Sequence, residues 1–297
     1  MQRSKPTLTI ASTTPPKVLF LGNGLLRLTD GLDWAKLLKE VSLFSIQEEI
    51  LKQLPFSMQP EALCGVNVEE VQRKTAARIS TKTAHQLLKR LLAIPFDAII
   101  TTNYAYEVEE VLTGKEWNER QRSKTRSFLH SSHHVRHNTS LCDVIMTPDQ
   151  RYVPVFHPHG DQMRKHSLIL SYYSYASSVH HLIDLNRERG NIYYERQMEQ
   201  APIEVWSWLD YFVMGEVHAV GFGFDLSEFD IWWAIERKAR EKAAHGRLHA
   251  WLIRNGDQIC PQKTLFDSMD VDAQFVQLNE KNYTAAYERI IDGIDQA

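Results

Sequence analysis

Cysteine, long apolar runs and an excess of positive charge are all scarce or missing in this 297-residue chain. The three cysteines, Cys64, Cys142 and Cys260, are widely separated and form no CxxC pair, which argues against a disulfide framework and a cysteine-built zinc site. No apolar run approaches the ~18 residues that indicate a membrane-spanning helix. A formal net charge of −3 supplies no basic excess to meet a phosphate backbone. These absences favour a globular protein that is not a general nucleic-acid binder.

The N-terminal residues 1–16 differ from the rest of the chain. They are mostly polar, end in Pro15-Pro16 and lack the apolar stretch of a signal peptide, so we expect an N-terminal tail and a cytoplasmic protein. A single α/β domain commonly runs to about 200–250 residues. Residues 17–297 are therefore predicted to form one domain, with helical insertions at about residues 44–95 and 171–213.

Short β-prone apolar runs alternate with segments of helical periodicity along most of the chain. Strands are predicted at residues 17–21, 98–101, 141–146, 152–156, 167–170, 217–220, 248–253 and 274–276. Helices are predicted at residues 83–92, 175–185, 193–211, 227–243 and 281–294, with short helices broken by Pro55 and Pro60 between residues 44 and 75. This alternation is typical of a mostly parallel sheet with helices on both faces. The predicted fold class is α/β, Rossmann-like, with a helical insertion.

Two polar motifs directly follow predicted strands, and ligands of open α/β sheets bind beyond the carboxyl ends of strands. In Gly22-Asn23-Gly24, two glycines allow a tight turn that brings backbone N–H groups near a pyrophosphate, although a simple turn explains the pair equally well. In the motif Thr101-Thr102-Asn103-Tyr104, Asn103 offers one acceptor and two donors to a ribose hydroxyl or a water. Its alternative role is to cap the following helix.

The motif His157-Pro158-His159-Gly160-Asp161 follows the strand at residues 152–156. A histidine of near-neutral pKa can accept a proton from a ribose hydroxyl or water, and the glycine beside it allows a substrate to come close. One alternative is an ordinary loop histidine, and another is a metal site on the HxH pair. No HExxH motif, second HxH pair or cysteine pair completes a ligand set, so no metal is expected.

The motif Gly221-Phe222-Gly223-Phe224-Asp225 follows the strand at residues 217–220. Its glycines allow close backbone approach, and Ser227 is expected to cap the next helix, whose N-terminus favours a bound phosphate. The alternative is a plain strand-to-helix turn with a good cap.

The segment at residues 113–138 is polar and is predicted to be irregular. Between residues 115 and 137, six lysines and arginines oppose two glutamates, a local charge of +4, and four histidines lie there as well. We interpret it as a solvated loop. The alternative is a surface that contacts nucleic acid or an acidic partner.

The order of these four motifs resembles the sirtuin-like (silent information regulator-like) superfamily, and in particular the bacterial sirtuin-like NADase domains of antiphage defence. The resemblance covers roughly residues 18–253. It implies that Asn103 positions the nicotinamide ribose or the attacking water, and that His159 is the general base. The cofactor-binding residues that it implies are Gly22, Asn23, Gly24, Thr102, Asp161, Gly221, Gly223 and Asn255.

The chain also departs from that family. Deacylating sirtuins carry a four-cysteine zinc module, which three scattered cysteines cannot build, and Ala105 stands where an aspartate usually follows the asparagine motif. Tyr172 and Tyr175 stand where the family often has a Ser/Thr–Tyr segment, for which side-chain packing is the alternative role.

The resemblance therefore implies that NAD is the substrate and is hydrolysed to nicotinamide and ADP-ribose in bacterial antiphage defence. A non-catalytic NAD or ADP-ribose sensor and an NAD-dependent protein deacylase are the alternatives. The partners implied are further copies of the chain, or a defence partner such as a HerA-like ATPase or an Argonaute.

Overall fold

The computed structural model describes residues 7–11, 14–30, 34–65, 67–129, 138–199, 201–241, 246–256 and 260–296. The strands within these residues are β1 Thr9–Ile10, β2 Lys17–Leu21, β3 Ala98–Thr101, β4 Arg126–Phe128, β5 Leu141–Met146, β6 Tyr152–Phe156, β7 Ile203–Glu204, β8 Glu216–Val220, β9 Leu248–Arg254 and β10 Asp272–Gln277.

The helices begin with four-residue α1 and end with a long C-terminal helix. They are α1 Arg27–Asp30, α2 Trp34–Val41, α3 Glu48–Leu51, α4 Gln59–Cys64, α5 Val68–Arg78, α6 Gln86–Leu92, α7 Glu107–Thr113, α8 Glu119–Thr125, α9 Tyr172–Arg189, α10 Ile192–Glu199, α11 Trp208–Met214, α12 Phe229–Arg240, α13 Gln262–Ser268 and α14 Tyr283–Asp295. Short 3-10 helices lie at Phe56–Met58, Asn138–Ser140 and Lys165–Ser167. None of the described helices is both long enough and apolar enough to cross a membrane.

One eight-stranded sheet has the order β10-β9-β8-β2-β3-β6-β5-β4. The strands from β10 to β6 pair in parallel, and β5 and β4 pair antiparallel at one end. On one side of β2 the chain adds β3, then the edge strands β4 and β5, and then β6 between β5 and β3; it crosses to the other side of β2 with β8. This reversal is a topological switch point, where α/β sheets leave a crevice for ligands. The predicted mostly parallel α/β fold is confirmed.

Strand β2 shows how the sequence alternates between the two faces of the sheet. Val18 and Phe20 point into the core beneath α11 and α12, whereas Leu19 and Leu21 point into the core beneath α6, α7 and α14. All four side chains are fully buried, as a strand covered on both faces requires. A third, smaller core packs α2, α4 and α5 against Leu168 and Leu170.

The segments predicted as helical insertions contain α3 to α6 and α9 to α11. Within residues 1–16, β1 pairs with β7 and the Ile10 side chain is buried. That part of the expected tail is therefore an ordered piece of the fold. The division of the chain into a tail and one domain stays a prediction.

Two predicted elements are wrong because local apolar periodicity does not report distant partners. Residues 167–170 form no strand, since Leu168 and Leu170 pack among helices and Ile169 N donates to His159 O in a loop. The helix predicted at residues 193–211 is broken at Pro202, which lacks an N–H. Strand β7 follows, and α11 starts anew after Ser207, whose backbone N–H donates to the Asp210 carboxylate in the first turn.

Other local corrections have similar causes. The stretch predicted as irregular contains α8, capped by Asn118, and β4, which pairs with β5, while residues 130–137 with their four histidines lie outside the described residues. Pro60 opens α4 rather than breaking a helix, because a first-turn residue needs no N–H bond. Helix α13 lies where no helix was predicted.

Candidate active site

A cavity of about 640 Å³ opens at the switch point, beyond the carboxyl ends of β2, β3, β6 and β8 and beside the end of β9. That size is typical of a small-molecule or cofactor site. The sequence-predicted residues that line it are Asn23, Gly24, Thr102, Asn103, His159, Gly221 and Gly223. The structure thus brings residues that follow four different strands to one wall.

The two glycine turns pack against each other. Gly22 N donates to Val220 O at 2.9 Å, and Gly24 N donates to Gly221 O at 2.7 Å. A Cβ on Gly22 would lie 2.5 Å from Gly221 O, so this glycine is required by backbone packing. The expectation that the N–H groups of Gly22 and Gly24 bind a pyrophosphate is corrected, because both are already bonded to protein carbonyls.

Gly223 differs from these glycines. A Cβ added there would meet nothing within 4 Å, and its φ lies outside the left-handed region. The next residue, Phe224, has φ +50° although it is bulky and almost fully buried. Such strain persists where packing imposes it, and the Phe224 ring packs edge-on against Phe222 and Phe266. These ring contacts hold the loop in place, and Gly223 lies at the cavity wall.

Ser227 does not cap α12 as expected. Its hydroxyl donates to Asp225 Oδ1 at 2.7 Å and accepts from Ser57 N at 3.2 Å. Glu228 stands at the N-cap position and makes no side-chain capping bond. The hydroxyl therefore ties the loop after β8 to the 3-10 helix that contains Ser57.

Asn103 is 7% exposed and lines the cavity. Its Nδ2 donates to Gly22 O at 3.2 Å and to Thr101 Oγ1 at 3.0 Å. Its Oδ1 forms no hydrogen bond to any described residue and is available as an acceptor. Helix α7 starts four residues later with Tyr106 at its N-cap, so the capping alternative for Asn103 is excluded.

His157 supports the Asn103 loop from behind. Its Nδ1 lies 2.7 Å from Asn103 O, and its Nε2 lies 2.7 Å from Glu109 Oε1. Burial disfavours the imidazolium, but the Glu109 carboxylate outweighs it and raises the pKa of His157. Both ring nitrogens are therefore committed, and His157 and His159 have different partners. Within the described ranges, no group of three or more His, Cys, Asp or Glu side chains could hold a metal ion.

His159 is 3% exposed and lies at the cavity wall. Its Nε2 is 3.2 Å from Asp230 Oδ2 but is not aligned for a hydrogen bond. Asp230 is fully buried and accepts from Ser178 Oγ at 3.0 Å. Burial works against the charged ring, but Asp230 and, to a smaller extent, Glu228 raise the pKa of His159. His159 is therefore a stronger base than a free histidine, and Asp230 balances the positive charge of its protonated ring. Tyr175 packs edge-on against the ring, whereas Tyr172 is half exposed.

Two carboxyl groups that the motifs did not predict also line the cavity. Glu107 and Glu228 each have a buried Oε2 atom with no hydrogen-bond partner among the described residues. Burial raises the pKa of Glu107 to about 7. Burial also raises the pKa of Glu228 to about 8, although His159 partly opposes this. Both side chains therefore carry a proton for much of the time at neutral pH.

The sequence held a faint signal for these acids. Ala105 lines the cavity, and Glu107 follows it by two residues in the first turn of α7. Glu228 and Asp230 likewise follow the second glycine motif at the start of α12. Acidic residues are common in the first turn of any helix because of the helix dipole, so position alone did not distinguish them.

Three of the expected site residues, Gly22, Asp161 and Asn255, do not line the cavity. Asn255 is exposed just after β9. Asp161 is 1% exposed and accepts from Arg164 Nε at 2.7 Å, from Arg126 Nη1 at 3.3 Å and from the Tyr106 hydroxyl. Although burial opposes ionisation, Arg164, His157 and Arg126 hold the pKa of Asp161 well below its usual range. The cofactor-binding role expected for Asp161 is corrected to a structural one.

Aromatic and cationic side chains complete the wall. Trp34 and Phe56 stack with ring centroids 4.7 Å apart, and both line the cavity. Arg27 brings a guanidinium to the side of the cavity where Gly24 and Tyr287 lie. Flat rings and anionic groups are the ligand features that such a wall suits.

Fold and cavity together define an α/β protein with a Rossmann-like sheet and a cavity lined by polar residues at its switch point. The chain matches no protein-family model and no curated protein. A proposal for its function must therefore depend on the chemistry of the site.

Proposed function

We propose that this protein hydrolyses NAD to nicotinamide and ADP-ribose. The observation that supports the proposal is that Asn103 and His159, which follow different strands, line one cavity, and that His159 is backed by the buried Asp230. A polar acceptor and a charge-balanced base on one wall suit an attack on a cationic sugar carbon.

The reaction needs little covalent help from the protein. As the bond between C1′ of the ribose and the pyridinium nitrogen breaks, its electron pair leaves with neutral nicotinamide and the ribose becomes oxocarbenium-like. Asn103 Oδ1 orients the water or a ribose hydroxyl, and a water oxygen bonds to C1′. His159 takes the proton from that water and later releases it to solvent, while Asp230 balances the charge on the imidazolium.

The remaining lining suits the rest of the ligand. Arg27 offers its guanidinium to a phosphate, and Gly223 leaves room for close backbone approach. The stacked pair Trp34 and Phe56 offers a flat apolar surface to a ring.

The test is nicotinamide release from NAD by the purified full chain. We expect Asn103→Ala and His159→Gln each to lower the rate by about 10²–10⁴-fold, the usual contribution of a positioned acid–base group. The double variant should be little worse than either single one, because the two residues act on one transition state. Exposed His166 provides the matched control, and His166→Gln should keep the wild-type rate.

Circular dichroism and ADP-ribose calorimetry separate loss of chemistry from loss of fold. Both variants should stay folded and bind ADP-ribose with only modest weakening. A His159→Gln protein that keeps the full rate would place the base elsewhere. An acyl-lysine peptide assayed in parallel separates hydrolysis from deacylation.

The second candidate is a non-catalytic NAD or ADP-ribose sensor. It is favoured by one observation: Ala105 places a methyl group in the cavity lining where the resemblance implies a carboxylate. Binding of NAD without any nicotinamide release, with and without neighbouring gene products, would support the sensor and contradict hydrolysis.

A role in bacterial antiphage defence, a cytoplasmic location and assembly with copies of itself, a HerA-like ATPase or an Argonaute are proposals that depend on the motif resemblance. Co-purification with the products of neighbouring genes, followed by the nicotinamide assay on the complex, tests them together.

A further inference from the structure

The Glu107 side chain, like that of His159, lines the cavity and has a buried polar atom without a hydrogen-bond partner among the described residues. It is 6% exposed, lies in the first turn of α7 and lines the cavity. Its Oε1 accepts from Lys82 N at 3.0 Å, whereas its buried Oε2 has no partner among the described residues. A buried polar atom without a partner is costly, so this oxygen is suited to meeting a ligand.

The protonation state of Glu107 narrows the kind of ligand group. The charged side chains that act on it are Glu109 and Glu110 on its own helix, and the backbone N–H of Lys82 donates to it. Lys82 and Arg78 also line the cavity. Burial, reinforced by the two neighbouring glutamates, raises the pKa of Glu107 to about 7. A protonated carboxyl donates through one oxygen and accepts through the other. A primary carboxamide is its complement, with one C=O and one NH₂ on the same carbon.

We propose that Glu107 selects a dinucleotide whose ring carries an uncharged carboxamide over the deamidated form, whose ring carries a carboxylate. The Oε2 hydroxyl donates to the carboxamide oxygen, and Oε1, which already accepts from Lys82 N, accepts from the amide nitrogen. The identity of the ligand rests on the proposed function, but the selection is a property of Glu107 alone.

The selection should depend on pH in a defined direction. The nicotinate carboxylate of the deamidated dinucleotide is ionised throughout the neutral range. Below the pKa of Glu107, the protonated side chain donates to that carboxylate and tolerates it. Above the pKa, two like charges meet in a buried site, and the deamidated form is rejected. NAD carries no charge on its carboxamide, so this repulsion does not arise.

The experiment measures dissociation constants by calorimetry at pH 6 and pH 8 for NAD, nicotinic acid adenine dinucleotide and ADP-ribose. The full chain carries His159→Gln so that ligand is not consumed. With Glu107 intact, we expect the ratio of the deamidated to the amidated constant to rise about tenfold or more from pH 6 to pH 8. With Glu107→Gln, which keeps the acceptor for Lys82 N, the ratio should not change with pH.

Two controls make the result specific. ADP-ribose lacks the ring, so its affinity should be the same with and without Glu107→Gln. Glu116→Gln removes an exposed carboxylate after the same helix and should preserve the rise.

The outcomes separate this proposal from the proposed function. If the ratio of the deamidated to the amidated dissociation constant stays constant from pH 6 to pH 8 with Glu107 intact, the proposal is overturned. This measurement does not depend on whether a Glu107 variant folds. A rise that survives Glu107→Gln, or that Glu228→Gln abolishes instead, also overturns it while leaving NAD binding in place. If neither NAD nor ADP-ribose binds, the proposed function fails first and the selection fails with it.

Discussion

The loop after β6 contributes one residue to the cavity and another to a buried ion cluster, and the two regions are equally buried but differ in their hydrogen bonding. His159 is 3% exposed at the cavity and Asp161 is 1% exposed in an ion cluster two residues away. Both carboxylate oxygens of Asp161 are bonded to arginines or a tyrosine. At the cavity, His159 Nε2 and Glu228 Oε2 have no hydrogen-bond partner among the described residues. Burial alone therefore does not distinguish the cavity side chains from those of the ion cluster, whereas the hydrogen bonds of Asp161, His159 and Glu228 do.

Gly160 makes this division possible. Its φ is +88°, and a Cβ there would lie 2.2 Å from Ser167 O. Only glycine tolerates that turn and that contact. The turn directs the chain from the cavity, where it leaves His159, into the cluster, where it places Asp161.

The largest effect that tests this comparison is on stability. Asp161→Asn leaves Arg164 without its buried partner charge and removes one of the two carboxylates that Arg126 bonds, so we expect the free energy of unfolding to fall by about 3–5 kcal/mol. His159→Gln removes a ring nitrogen that makes no hydrogen bond to any described residue, and Asp230 keeps its bonds from Ser178 Oγ and Ile231 N, so the loss should be no more than about 1 kcal/mol. Denaturant unfolding followed by circular dichroism measures both. Equal losses of unfolding free energy in the two variants would contradict the conclusion that Asp161 stabilises the fold more than His159 does.

The next effect is on the pH dependence of NAD cleavage. The neutral form of His159 is the base, and Asp230 raises its pKa, so the rate should rise with pH through a midpoint above 6.5. Asp230→Asn removes the stabilising charge. We expect the acid limb to move to lower pH and the plateau of kcat/KM to fall by about 10²-fold.

Ser178→Ala is the control for this pH effect, because Ser178 bonds Asp230 and carries no charge. It should leave the acid limb close to its wild-type position. The other ionisable groups facing His159 are Glu228 and Tyr175, and neither is changed in these variants. If the acid limb of the pH profile does not move in Asp230→Asn, the proposed action of Asp230 on the pKa of His159 is contradicted.

A smaller effect separates Gly223, which lines the cavity, from Gly22, which packs against the neighbouring turn. Gly223→Ala places a methyl group in open space, so it should weaken ADP-ribose binding about tenfold without loss of stability, since Ala adopts that backbone without strain. Gly22→Ala forces a Cβ against Gly221 O and should cost about 1–3 kcal/mol of stability. Calorimetry and thermal unfolding of both proteins check this. Unchanged ADP-ribose affinity of the Gly223→Ala protein would contradict contact between the ligand and this loop.

The smallest effect concerns the basic segment. Arg126 bonds Asp143 and Asp161, and Arg122 Nη1 lies 3.7 Å from Asp161, so these arginines belong to the ion cluster. Arg120 is exposed, and Arg120→Glu should change the free energy of unfolding by no more than about 0.5 kcal/mol. It is the variant with which to test partner binding. Thermal unfolding measures the first claim, and a large loss would place Arg120 in the cluster as well.

The sequence by itself determined the fold class and where the four polar motifs meet. Strands β2, β3, β6 and β8 are local apolar runs, and a polar motif follows each of them. Because parallel strands align their carboxyl ends, the four motifs had to meet at one edge of the sheet. Asn103 and His159 were chosen within these motifs because of the family resemblance, and both line the cavity.

Only the tertiary structure decided which polar atoms are paired. The N–H groups of Gly22 and Gly24 bond to a loop about two hundred residues away in sequence, and Asp161 meets arginines from β4 and its own loop. Glu107 and Asp230 looked like ordinary first-turn acids. Packing left Glu107 Oε2 without a partner among the described residues and set Asp230 beside His159. Hydrogen-bond partners depend on contacts between distant segments, which no local pattern of residues encodes.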